Sequence, residues 1–225
     1  MEQTLSVAHR LFADRGYAEL TMDELAAAVG VTKPLLYHYF GNKERLYIAC
    51  MERVGDGLLG MIAAAVGESR DPAEALRAGL HAFFDFLDSD RAAWSVLFDE
   101  TSAHVGAVAQ RVSEYRARIA DLVAGSLLAR LQPERRAAAR TEVEAVSIAL
   151  LGAAEALARW WLTAGRALAA PEVADLLIAT VEPGLRMRAS GKRAPALCGE
   201  GGRSAEPRAG DEVTWQRPRR QTAAK

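Results

Sequence analysis

Cysteine is scarce: Cys50 and Cys198 are the only two in 225 residues. Neither has the C-x-x-C neighbour of a redox motif or a zinc site, and the pair reads as free thiols with no disulfide framework. The four histidines, His9, His38, His81 and His104, are dispersed as well, and no GxSxG or HExxH run occurs. Without a nucleophile beside a base, or a ligand cluster for a metal, the chain is not expected to be an enzyme or to carry a metal or cofactor. No uncharged apolar run reaches about 18 residues, and no basic stretch followed by a hydrophobic one opens the chain. A membrane span and a secretion signal are therefore not expected, and a cytoplasmic protein is. Charge of one sign is also lacking, with 28 Lys and Arg against 29 Asp and Glu. A nucleic-acid partner would thus depend on a local cationic patch, since phosphate neutralisation needs local potential.

Apolar residues, by contrast, make up half the chain, enough to bury a sizeable core. Their spacing is helical throughout. In residues 21–46, TMDELAAAVGVTKPLLYHYFGNKERL, Thr21 and Glu24 have capping-box spacing, and Met22, Leu25, Ala26 and Val29 form one face. Gly30 supplies a left-handed stop. After Val31, Thr32 is a good N-cap and Pro34 is tolerated in the first turn of a helix expected over 33–39. Leu36 and Phe40 point inward on that helix, which leaves Lys33, Leu35, Tyr37, His38 and Tyr39 for other faces. Asn42 caps a fourth helix, and Lys43 beside it brings a cation to a helix start whose amides attract phosphate. With a first helix carrying Leu5, Ala8, Leu11 and Phe12 and ending at Gly16-Tyr17, this is a small helix-turn-helix bundle, built to place a helix in the DNA major groove.

Further helical stripes follow. A fourth helix from Lys43 to about Val66 leaves this bundle for the next and carries Cys50, a small buried hydrophobe, on its apolar stripe. Gly55, Gly57 and Gly60 within it mark either a hinge or close packing. A fifth helix opens at Asp71-Pro72, a short sixth presents Trp94, Leu97 and Phe98, and a seventh runs from near His104 to about Leu131. The eighth, 134–165, is apolar on opposite faces and so needs two covers, its own core and a second subunit. Val146, Leu150, Ala153 and Leu157 on it, with Leu176, Leu177 and Thr180 on a ninth helix from Pro171, are the expected dimer surface. Pro183-Gly184 is expected to kink or end that ninth helix. From 189 to 225 the large apolar residues thin out and a disordered tail is expected, with a surplus of four positive charges.

The stretch AHRLFADRGYAELTMDELAAAVGVTKPLLYHYFGNKERL resembles the N-terminal DNA-binding domain of the TetR family of transcriptional regulators over about residues 4–47. The resemblance implies an all-α homodimer of about nine helices per chain: a three-helix DNA-binding domain over 1–47 and a larger ligand-binding and dimerisation domain over 48–188. It implies a double-stranded palindromic operator, mostly repression, and release by a small-molecule effector. Thr21, Tyr37 and Lys43 match the family's phosphate contacts, and Thr32, Lys33, Pro34, Leu35 and His38 its positions near bases or backbone. Only Met1 to Gln3 precede the first helix, so contacts from a basic N-terminal arm are not expected. Phe84, Phe86, Trp94, Phe98, His104, Tyr115, Trp160 and Trp161 are candidates for the effector pocket, pointing to an apolar or aromatic ligand. Two alternatives stay open: an activator of the same fold, and a helical dimeric adaptor that ignores DNA.

Overall fold

The computed structural model describes residues 2–69, 71–98, 106–163 and 167–189. These residues form nine α-helices and no strand: α1 (Glu2–Arg15), α2 (Met22–Val29), α3 (Lys33–Phe40), α4 (Lys43–Gly67), α5 (Pro72–Ser89), α6 (Ala92–Leu97), α7 (Ala107–Ala129), α8 (Pro133–Thr163) and α9 (Ala170–Ala189). His104, Cys198 and the tail beyond 189 lie outside the described residues.

Local chemistry sets the boundaries of the first helices. Thr21 Oγ1 accepts from the Glu24 amide at 3.2 Å, and a Glu24 carboxylate oxygen accepts from the Thr21 amide at 2.9 Å, closing the capping box of α2. Gly30 ends that helix at φ 78°, a left-handed conformation in which a side chain is strained. Phe12, Leu20, Leu25 and Leu36 then meet Leu46 and Tyr47 of α4 in the core of the head. Phe12 packs edge-on to Tyr47 with ring centroids 4.9 Å apart.

At 25 residues α4 is about 37 Å long, and it serves both parts of the chain. Its first turns close the head, while Leu58, Ile62 and Val66 are buried against the body. There α5 lies between α4 and α9, α7 packs on α4 and α8, and α1 rests on α6. Asp71 starts α5 by accepting from the amides of Ala73 and Glu74, both at 2.8 Å. Cys50 is buried, and desolvation pushes its thiol up to about 12, in keeping with an inert small hydrophobe.

Pro183 does not end α9. α9 runs through Pro183 to Ala189: the proline removes one amide, but Ala179, whose carbonyl loses that partner, is exposed to water, so the helix continues at the cost of one bond. α8 turns Ser147, Leu150, Ala154, Ala158 and Trp161 inward and leaves Ile148 and Trp160 outside. By length and composition alone, α8 is also apolar enough to cross a membrane. Its inward stripe is instead packed on α7 and α9.

A buried polar contact helps join head to body. His9 of α1 is buried, and its Nε2 stands 3.2 Å from an Asp90 carboxylate oxygen at the end of α5. The His9 ring beside it holds the Asp90 carboxyl below the ordinary aspartate range, against the opposing effect of its own burial. A depressed carboxylate pKa adds stability above the unfolded value and loses it as pH falls through the folded one. Asp90→Asn is therefore expected to lower stability at neutral pH and to flatten the acid limb of the stability curve, measured by urea unfolding from neutral to acid pH. An acid limb identical to that of the parent would show the pair to be idle.

Candidate nucleic-acid interface

Along α3 only Leu36 is buried. Leu35, Tyr37 and Tyr39 are 41%, 42% and 57% exposed, a large apolar surface for eight residues. His38 is exposed too, and Thr32 makes no side-chain cap bond, so its hydroxyl and the first amides of α3 stay open. Pro34 sits in the first turn, where its missing amide is not needed. Lys33 extends to Asp23 at the start of α2, with Nζ 2.8 and 3.0 Å from the two carboxylate oxygens.

Two residues matched to phosphate contacts have internal partners. Thr21 spends its hydroxyl in the capping box, donating to Glu24 Oε2 at 2.7 Å. Glu24 also accepts from Arg15 at 2.8 Å, and the Thr21 and Arg15 hydrogen bonds bring its carboxyl down to about 2. Lys43 turns away from the helix start: Nζ donates to the carbonyls of Tyr17 and Leu20, each at 2.9 Å, and lies 4.4 Å over the Tyr17 ring. The loop between α1 and α2 has carbonyls to satisfy, and this ammonium is within reach of them. Arg45, which sequence reasoning passed over, is exposed beside the positive-φ Gly41 and makes no ion pair among the described residues. Its place one turn into a helix capped by Asn42 was the available signal. Over residues 1–47 the charges come to five Lys and Arg against six Asp and Glu.

Elsewhere the body holds a cavity of about 70 Å³ between α4, α5, α7 and α8. Its walls are aliphatic, with Ile62, Leu76, Leu80, Ile119, Val123 and Leu150 prominent, Phe83 the one ring, and Ser126 the one polar side chain. None of the seven candidates among the described residues lines it. Phe84, Phe98 and Trp161 are buried with Phe83 and the half-buried Trp94 in edge-on and stacked pairs, centroids 4.9–6.1 Å apart. Trp161 also donates to the Leu168 carbonyl at 2.9 Å. Phe86 packs toward Gly57 of α4, and Trp160 is 49% exposed. The rings pack on one another because that arrangement satisfies them without a ligand; the space lies beside the small side chains of Ala75 and Ala154, while at Gly79 a Cβ would already meet Val66 at 3.2 Å.

Tyr115 has a different task. Its ring covers Gly55, where a Cβ would come within 2.5 Å of it, and its hydroxyl donates to the Glu52 carbonyl at 3.1 Å and to Asp56 at 3.0 Å. Arg118 closes the clamp 3.1 Å from Asp56. Gly55 is thus a site of close packing, whereas nothing stands within 4 Å of a Cβ on Gly60. Of the residues expected between subunits, Leu150 and Leu177 are buried within this chain, Val146, Ala153 and Leu157 are half-buried, and Leu176 and Thr180 are exposed. A helix apolar on both sides gives no sequence cue to which side is inward: Leu150 lies inward, while Ile148 and Trp160 are exposed.

A helix-turn-helix head with one long helix leading into a larger helical body defines a class of regulator. Residues 5–50 match the profile of bacterial regulatory proteins of the tetR family, and residues 72–184 match that of the tetracyclin repressor-like C-terminal domain. The chain belongs to the tetR family. It is 39% identical over 97 residues to the HTH-type transcriptional activator FasR of Mycolicibacterium smegmatis, a match covering 43% of this chain and 44% of FasR. The chain spans about half the length of the curated relatives it matches. The structure of a TetR-like transcriptional regulator from Rhodococcus sp. RHA1 is 34% identical, with 82% of this chain and 94% of that one covered at a TM-score of 0.67. AibR in complex with isovaleryl coenzyme A and operator DNA shares the fold at 21% identity, 80% and 96% coverage and a TM-score of 0.61.

Lys43→Met is expected to cost about 1–3 kcal/mol by leaving loop carbonyls without their charged donor. Urea unfolding reads this directly, and unchanged stability would return Lys43 to the surface.

Proposed function

We propose that this protein is a DNA-binding transcriptional regulator that acts as a homodimer on a palindromic operator and is released by a small apolar effector. The observation that carries this reading is the exposed face of α3, with Leu35, Tyr37, His38 and Tyr39 held out around one buried leucine. In this reading residues 1–47 form the DNA-binding domain and 48–188 the effector and dimerisation domain. Lys33, Leu35 and His38 approach base edges, with Thr32 and Pro34 at the helix start. Tyr37 and Arg45 meet phosphates, while Thr21 and Lys43 hold the scaffold. The chain works in the cytoplasm, and its chemistry is recognition rather than catalysis. Ile148, Trp160, Leu176 and Thr180, on the outer faces of α8 and α9, supply the surface for the second copy.

Effector release follows from the cavity's size. At about 70 Å³ it is far below the few hundred Å³ of an occupied ligand site, so an effector has to part the surrounding helices. Ile62 of α4 faces Ile119 and Val123 of α7 across it, and Tyr115 on Gly55 lies between the cavity and the head. Gly55 acts as a fulcrum: Lys43 is about 18 Å from it along α4, and Ile62 and Val66 are about 10–16 Å away on the other side. Separation by about 1 Å at the cavity therefore moves the head by a similar distance. The coupling free energy comes from the effector's preference for the parted arrangement. An aliphatic arm fits these walls, which agrees with AibR, whose complex contains isovaleryl coenzyme A and operator DNA. Release of a repressor is the reading we favour. Activation is the second, favoured by the name of FasR.

Selection of bound duplexes from a random pool tests DNA binding; a stable dimer that retains none of them would favour an adaptor. Arg45→Ala is expected to weaken binding to all duplexes and to reduce the log–log salt slope by about one per subunit. An unchanged slope would remove Arg45 from the interface. Gly55→Ala, which drives a Cβ into the Tyr115 ring, is expected to weaken operator binding about tenfold without effector, while Gly60→Ala leaves it unchanged, as read by fluorescence anisotropy. Equal affinities for the two variants would overturn the fulcrum.

A further inference from the structure

A protein that holds DNA through phosphates usually carries excess positive charge where it binds. This head does not, with five Lys and Arg against six Asp and Glu, and three of its five cations are engaged from within. Arg15 is tied to Glu24, and Lys43 is turned into backbone carbonyls. Lys33, at the head of α3, is held by Asp23. Asp23 is not part of the capping box, which Thr21 and Glu24 complete without it. Its side chain is 63% exposed on the same side as the start of α3, so its charge reaches whatever α3 reaches.

We propose that Asp23 is a specificity-determining residue that suppresses sequence-independent binding by reserving Lys33 for bases; this rests on the DNA-binding reading above. On an arbitrary duplex Lys33 gains affinity only by swinging to a phosphate, which breaks its pair with Asp23 and leaves that carboxylate facing the backbone. At the proper site the ammonium keeps Asp23 and directs a remaining N–H to a base acceptor, since a lysine has three donors. The Tyr37 ring, 6.0 Å from Nζ, borders the same path. Asp23 thus penalises the phosphate-bound arrangement of Lys33 and spares the base-bound one. The counterion-release term that dominates nonspecific binding is held down at its source.

The test uses the full chain, the tightest duplex from random-pool selection and a scrambled duplex of equal length, with affinities measured between about 50 and 200 mM salt. Asp23→Asn is expected to bind the scrambled duplex roughly three- to tenfold tighter at the low-salt end, with a slope steeper by about one per subunit. Binding to the selected duplex should stay within about twofold, and adding Lys33→Met should abolish the gain on the scrambled one. Asp23→Ser, a residue at home near a helix start, provides a second variant should the amide unfold the head. Scrambled-duplex affinity unchanged in both variants, or an equal gain on both duplexes, would overturn the assignment of Asp23. Failure of the parent protein to bind either duplex would instead overturn the DNA-binding reading on which it rests.

Discussion

One buried leucine decides what α3 can do. Leu36 is 1% exposed and pins the helix to Leu25, Leu46 and their neighbours, with Phe40 half-buried against the same core, so Lys33, Leu35, Tyr37, His38 and Tyr39 are presented outward. A second inward anchor of similar depth would rotate or sink the helix and take Tyr37 or His38 with it. The head core that receives Leu36 is completed by the first turns of α4, so the pose of the recognition helix depends on where α4 runs. That course is fixed in turn by Tyr115 lying on Gly55 and by Asp56 held between Tyr115 and Arg118.

The body supplies the means to disturb this chain of contacts. Its cavity is bounded by the far part of α4 and by the part of α7 just beyond Tyr115, so the helices that clamp the lever also wall the space an effector would enter. Aromatic side chains, abundant nearby, satisfy one another and stay out of that space. What remains is aliphatic and narrow, better suited to a hydrocarbon arm than to a flat ring.

Much of the fold was legible because local signals agreed. Thr21 with Glu24, Gly30, Asn42 and Asp71-Pro72 each mark a boundary through a hydrogen bond or a backbone conformation, and the structure contains every one. Side-chain direction on an exposed lysine was not legible: Lys43 follows a cap, but its ammonium finds carbonyls more than twenty residues earlier, a tertiary fact. The cavity was hidden for a related reason. Aromatic stripes point to rings, whereas this space lies beside the alanines Ala75 and Ala154, and small residues draw no attention in a helix. On α8, with apolar residues on two sides, the 3.6-residue period identifies both stripes and does not say which one lies inward; that Leu150 is buried and Ile148 exposed is a tertiary fact. His9 gave no signal at all, since a lone histidine on a helix acquires its meaning only from Asp90, some eighty positions later.

Regulation of the proposed kind requires α3 of two copies to meet one DNA duplex. Hydroxyl-radical footprinting of the selected duplex, with the stoichiometry of the complex measured on the same sample, tests this most directly. Two protected half-sites about 34 Å apart, one helical turn, with an even number of chains bound symmetrically, are the predicted result. A single protected patch bound by one chain, or no protection of any duplex at low salt, would contradict it.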